Sequence, residues 1–165
     1  MKALIVVDMQ NDFIDGKLGS KEARAIVDKV RQKIEERKAQ GYEIIYTRDT
    51  HHEDYLNTNE GKHLPVEHCI YNSMGWQIYD GLLTSGAIII DKPNFGYIGW
   101  DNYAFSEVEL IGVCTDICVI SNAIIIKAMH PNIKITVDSS CCAGTSIESH
   151  NAALIAMKMC QIDII

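Results

Sequence analysis

Short apolar runs of strand length alternate along the chain with longer stretches of helical period. Residues 3–7, 43–47, 87–90, 108–113, 133–137 and 162–165 are rich in Ile and Val, largely apolar at successive positions, and too short for helices. They read as strands, the first ending in Asp8-Met9 and the third in Asp91-Lys92-Pro93. Between the first two, Ala25, Ile26, Val30 and Ile34 recur at helical spacing, with Ser20 as N-cap and Gly41 as stop, which predicts a helix over about 21–40. A second helical pattern opens at Thr115-Asp116 and runs to about His130, and a third spans about 146–160. Residues 76–83 predict a short helix, 94–103 a loop, and the Ser/Cys/Gly-rich stretch after Val137 a turn. The polar segment 52–72 has no clear period, holds three of the six histidines, and is too long for a plain connection.

Strands that are apolar on both faces, separated by helices, describe a parallel sheet covered on both sides. The expectation is a doubly wound α/β domain, Rossmann-like, with six mainly parallel strands and residues 1–165 in a single domain. Ligands of such folds bind beyond the carboxyl ends of the strands, where strand order reverses. Reactive side chains are therefore expected just after strands.

Composition narrows the function classes. Twenty-two acidic against fifteen basic residues give a net charge of −7, which argues against a nucleic-acid binder. No apolar run reaches the length of a membrane span, and the first strand starts without a secretory leader pattern, so the expectation is a cytoplasmic protein. Cysteines 69, 114, 118, 141, 142 and 160 then read as free thiols, and no C-x-x-C occurs.

The chemistry-bearing residues follow strands. Asp8 comes after the first, Lys92 after the third and Cys118 after the fourth. Singly, each has a structural explanation: a loop cap, a solvated lysine, a core thiol. Together they make a nucleophile, a base and a cation. With Thr115 as N-cap, the Cys118 thiol faces unpaired backbone N–H groups and the positive helix end, both of which favour thiolate. Backbone N–H groups near Cys114 and Cys118 would then meet an oxyanion, as in a cysteine acyl-enzyme route for amides or esters. A non-catalytic binding or assembly protein is one rival. A thiol redox protein using Cys114 with Cys118, or Cys141 with Cys142, is another.

A second cluster begins at Asp49-Thr50-His51. Alternate residues of an extended segment point the same way, so Asp49 and His51 can share one ion, with His68 returning as a third ligand. Such donors suit Zn²⁺, Fe²⁺ or Mn²⁺, although a His-rich loop is more often a solvated surface.

Five segments then resemble one family in its own order: V-V-D-M-Q-N-D-F around Asp8, T-R-D-T-H at Thr47, L-P-V-E-H-C at Leu64, D-K-P-N-F-G around Lys92 and G-V-C-T-D-I-C-V around Cys118. The chain is similar to the isochorismatase-like cysteine hydrolases, in their nicotinamidase-related branch. The resemblance implies an Asp8–Lys92–Cys118 triad and a cis peptide before Cys114. It implies a metal on Asp49, His51 and His68 with Glu60 as a further ligand, and a metal that anchors a pyridine nitrogen. It also implies a small amide as substrate, nicotinamide foremost, with an isochorismate-type substrate as the alternative, and a homo-oligomer. The chain departs from the pattern in carrying Leu64 where the branch has an aromatic residue. It also has a short link after Lys92, so the crossover helix there is expected to shrink to about a turn. Phe13, Tyr97 and Trp100 are the candidates to stack on a substrate ring.

Overall fold

The computed structural model describes residues 1–82 and 84–165. Six strands form one sheet in the order β3-β2-β1-β4-β5-β6, and every pairing is parallel. They are β1 (Lys2–Val7), β2 (Glu43–Asp49), β3 (Ile88–Lys92), β4 (Glu107–Val113), β5 (Lys134–Ala143) and β6 (Asp163–Ile164). The helices are α1 (Asn11–Ile14), α2 (Lys21–Ala39), α3 (Asn59–His63), α4 (Ile120–Met129) and α5 (Ile147–Met159). Two apolar layers flank the sheet. Leu4, Val6, Ile44 and Ile111 pack against Ile26, Val30 and Ile34 of α2. Ile5, Val7, Val108 and Leu110 face Ala123 and Ile126 of α4 and Met157 of α5. No described helix is long and apolar enough to cross a membrane.

Helix boundaries follow local chemistry. The Ser20 hydroxyl accepts from Ala23 N–H at 3.0 Å and starts α2. Ser146 and Ser149 form a reciprocal capping box at the start of α5. The polar segment 52–72 is ordered by a 3-10 turn at Tyr55–Asn57 and by α3, whose cap Thr58 accepts from Gly61 N–H.

Three expectations are corrected. Residues 76–82 form turns rather than a helix, because their backbone groups serve the chain after β1. Asn11 N–H donates to the Gln77 carbonyl and Tyr79 N–H to that of Met9; Leu83, the last residue of that expected helix, lies outside the described residues. The stretch after Val137 is not a turn but the continuation of β5. Cys142 and Ala143 pair with Gly112 and Val113 beyond a register shift, and the polar Ser139 and Ser140 lie in the resulting bulge. Thr115 is not the cap of the fourth-strand helix. Cys114 holds that place with extended backbone, and a π-helical turn over Thr115–Val119 precedes α4.

One charged cluster crosses the interface between α2 and the sheet. Lys33 Nζ lies 2.8 Å from Asp138 Oδ2 and 3.5 Å from Glu109 Oε1, and Arg37 Nε lies 2.5 Å from Glu109 Oε2. Burial alone would raise the Asp138 pKa, but hydrogen bonds from Lys33 and Ser140 outweigh it and hold the carboxyl below its ordinary value. A depressed folded-state pKa adds stability above the unfolded pKa of about 3.9, and that stability is lost as pH falls. Asp138→Asn should therefore cost about 1–3 kcal/mol at neutral pH. The gap in urea midpoint between variant and parent should narrow as pH falls below the unfolded pKa of about 3.9. A gap that stays constant with pH would mean the Lys33 pair is not its source.

Candidate active site

Asp8 leaves β1 in the left-handed region, with φ +48°, which few non-glycine residues adopt. Thr47 at the end of β2 holds it there. Asp8 N–H donates to the Thr47 carbonyl at 3.2 Å, and the Thr47 hydroxyl donates to Asp8 Oδ1 at 2.6 Å. The other oxygen, Oδ2, makes no hydrogen bond of ordinary geometry. It lies 2.7 Å from the ammonium of Lys92, and neither side chain is exposed to solvent.

Lys92 ends β3 and stands at the centre of the group. Its Nζ is 3.5 Å from Asp49 Oδ1, 3.1 Å from the Asn94 carbonyl and 3.5 Å from Cys118 Sγ. Burial works against the ammonium, but Asp8, Cys118 and Asp49 outweigh it and raise the Lys92 pKa, so it stays charged. The Cys118 thiol moves upward too: burial comes first, Asp8 adds to it, and Lys92 opposes both. The helix-start position predicts thiolate, and the structure reverses this, because desolvation and a facing carboxylate exceed the pull of a helix end. Asp8 is itself raised, by burial against the lowering influence of Lys92. The resting group is a thiol beside a carboxyl with raised proton affinity.

The second cluster assembles around Asp49. His51 Nε2 lies 3.0 Å and His68 Nε2 3.4 Å from Asp49 Oδ2, and Glu60 Oε1 of α3 lies 3.5 and 3.8 Å from the same two nitrogens. One donor atom from each of the four falls within 4.8 Å of the others. His68 Nδ1 contacts the Val66 carbonyl at 2.8 Å, a bond that fixes the ring with Nε2 turned toward the carboxylates. Burial opposes charge on His51, yet hydrogen bonds and charge from Asp49 and Glu60 push its pKa up to about 9. The pocket thus attracts a cation, and two imidazoles with two carboxylates fit Zn²⁺, Fe²⁺ or Mn²⁺. His63 does not join: it is exposed and contacts the Asn59 carbonyl through Nδ1.

A cavity of about 800 Å³ opens beside both groups, and Asp49, Glu60, His68, Cys114 and Cys118 reach its wall. Phe13 also lines it, with its ring edge-on to His68 at 5.6 Å. Tyr97 and Trp100, named from the sequence as ring-stacking candidates, do not line it. Trp100 is fully buried and Tyr97 packs edge-on against it at 5.0 Å, because the shortened link after β3 folds these rings onto the sheet where a crossover helix would lie. Phe95 lines the cavity instead.

Sequence reasoning missed two residues that hold these groups. The fully buried Gln10 grips Asp49 as a strand would: Nε2 donates to the Asp49 carbonyl at 2.9 Å, and Oε1 accepts from Asp49 N–H at 2.7 Å. Asn122, buried in α4, donates to the carbonyls of Cys118 (2.8 Å) and Phe95 (3.1 Å). It also accepts from Tyr97 N–H and Trp100 Nε1–H, each at 2.9 Å. The only sequence signal was a polar amide beside a reactive residue or within an apolar helix.

The peptide Val113–Cys114 is cis, in agreement with the resemblance. Residues 2–165 match the family model of the isochorismatase domain. An uncharacterised isochorismatase family protein of Bacillus subtilis, PncA, is 30% identical over 93% of this chain and 92% of its own length. The pyrazinamidase/nicotinamidase of Streptococcus mutans superposes with a TM-score of 0.87 at 30% identity, covering 100% of both chains. The pyrazinamidase of Pyrococcus horikoshii, in complex with zinc, gives a TM-score of 0.87 at 29% identity over 99% of this chain and 98% of that one. The chain belongs to the isochorismatase family of hydrolases.

Proposed function

We propose that this hydrolase cleaves the C–N bond of a small aromatic amide through a thioester on Cys118, nicotinamide being the first substrate to test. One observation carries the reading: a buried ammonium lies 2.7 Å from the Asp8 carboxylate and 3.5 Å from the thiol of Cys118, and Cys118 reaches the wall of a cavity. The relatives named for nicotinamidase and pyrazinamidase activity support the choice of substrate. Cys118 Sγ attacks the carbonyl carbon while its proton passes to Asp8. Backbone N–H groups of Cys114 and Cys118 take up the developing oxyanion, and Lys92 holds the charge balance. As the C–N bond breaks, Asp8 returns the proton to the nitrogen, which leaves as ammonia. Water then attacks the thioester with Asp8 as base, releasing the carboxylic acid and restoring the thiol.

Asp49, His51, His68 and Glu60 would hold a divalent metal, zinc first. When bound, such an ion supplies a Lewis acid that can accept a ring-nitrogen lone pair and so orient the amide. An isochorismate-type substrate, a dianion, suits the cavity less well, because among the described residues no lysine or arginine lines it. Residues 1–165 would work as one hydrolase domain, and six unbridged thiols favour a reducing, cytoplasmic setting.

Ammonia release from nicotinamide should fall by roughly 10³-fold or more in Cys118→Ala and in Asp8→Asn. In the parent, an acyl adduct on Cys118 should appear by mass spectrometry after rapid acid quench. A folded Cys118→Ala variant that keeps its turnover sinks the thioester route. Metal analysis after zinc loading and desalting should give one equivalent per chain in the parent and little in Asp49→Ala or His68→Ala; retention by both variants would remove the ion from this cluster. Asn122→Ala should lower kcat per folded molecule by about 10- to 100-fold, since small displacements of reacting groups are costly. It should also change the rate at which Cys118 reacts with neutral iodoacetamide. A purely structural role would lower stability and leave both rates per folded molecule unaltered.

A further inference from the structure

The cavity is larger than the substrate just proposed. Nicotinamide has nine non-hydrogen atoms, and even at the roughly 30 Å³ that each water occupies in the liquid it would take about 270 Å³. That is about a third of the 800 Å³ present. The remaining wall is mostly apolar, with Leu18, Ala23, Leu64, Phe95 and Ile117 facing the space. Leu64 and Phe95 remain 38% and 45% exposed, so a ligand reaching them would remove apolar surface from water. The Phe95 backbone is held in place by the bond from Asn122 to its carbonyl.

Resting on the amidohydrolase reading, we infer that the preferred substrates are neutral aromatic carboxamides with an apolar substituent of about ring size. The two ends of the ring system are already assigned, the carboxamide to Cys118 and the ring nitrogen to the Asp49 cluster. In a pyridine-3-carboxamide, carbon 5 is the ring position meta to both, so a substituent there leaves both attachments free. It would extend into the space bounded by Leu64 and Phe95. Among the described residues no lysine or arginine lines the cavity to pair with an acidic group, which fits an uncharged substituent.

The test compares kcat/KM for 5-phenylnicotinamide and nicotinamide on the zinc-loaded protein, with adduct formation on Cys118 followed in the same samples. A ratio of about ten or more in favour of the substituted amide is expected, from burial of the added ring. Leu64→Trp, a change at a half-exposed position, should fill part of the space and lower that ratio several-fold. A ratio of one or less, or a ratio that Leu64→Trp does not move, overturns the inference while leaving nicotinamide hydrolysis standing. If neither amide is hydrolysed and neither acylates Cys118, the amidohydrolase reading falls and this inference falls with it.

Discussion

A lysine ammonium with no exposure to water is stable only where protein groups replace its hydration. Lys92 finds that replacement in Asp8, Asp49, the Asn94 carbonyl and the Cys118 sulfur. These partners come from the ends of β1 and β2, the link after β3 and the turn after β4, four strands that are neighbours in the sheet. No single strand can satisfy the charge, so assembly of the sheet and assembly of the site are one event. Loss of either carboxylate would leave the cation under-compensated, and loss of the lysine would leave two buried carboxylates facing each other.

The same charge explains the second cluster. Asp8, Asp49 and Glu60 bring three carboxylates to a region with one ammonium. Asp49 is shared, with Oδ1 toward Lys92 and Oδ2 toward His51 and His68. The excess negative charge raises the proton affinity of His51 despite its burial, and the same excess suits the four donors to a cation. The two clusters are thus halves of one electrostatic unit hinged on Asp49, and Gln10 fixes that hinge through its backbone.

What the sequence disclosed follows from this geometry. In a parallel sheet, strand ends gather on one side, so an Asp, a Lys or a Cys that closes or closely follows an apolar run is conspicuous, and Asp8, Lys92 and Cys118 were legible for that reason. Asp49 and His51 were legible from the period of an extended chain. Periodicity carries no information about loop side chains, so Tyr97 was expected at the cavity while Phe95 took the place. It is equally silent on backbone already in use elsewhere, which is why residues 76–82 do not form a helix. Helix-end reasoning put Cys118 near a helix start, though with Thr115 in place of Cys114 as the cap, and misjudged its ionisation, because burial is a tertiary property that a local motif does not contain.

The shortened link between β3 and β4 has a structural cost that Asn122 offsets. A crossover helix satisfies its own backbone; the link here has one 3-10 turn, Trp100–Asn102, and must find partners outside itself. Asn122 supplies them, one amide hydrogen to the Phe95 carbonyl and its oxygen to Tyr97 N–H and to the Trp100 indole, while the amide nitrogen's other hydrogen holds the Cys118 carbonyl. A side-chain amide so engaged in a buried setting has little freedom to move, and neither do the groups bonded to it. The cavity wall at Phe95 and the turn that carries the Cys118 thiol are therefore set by the same residue. In this chain, the shape of the cavity wall at Phe95 and the position of the Cys118 thiol cannot drift independently.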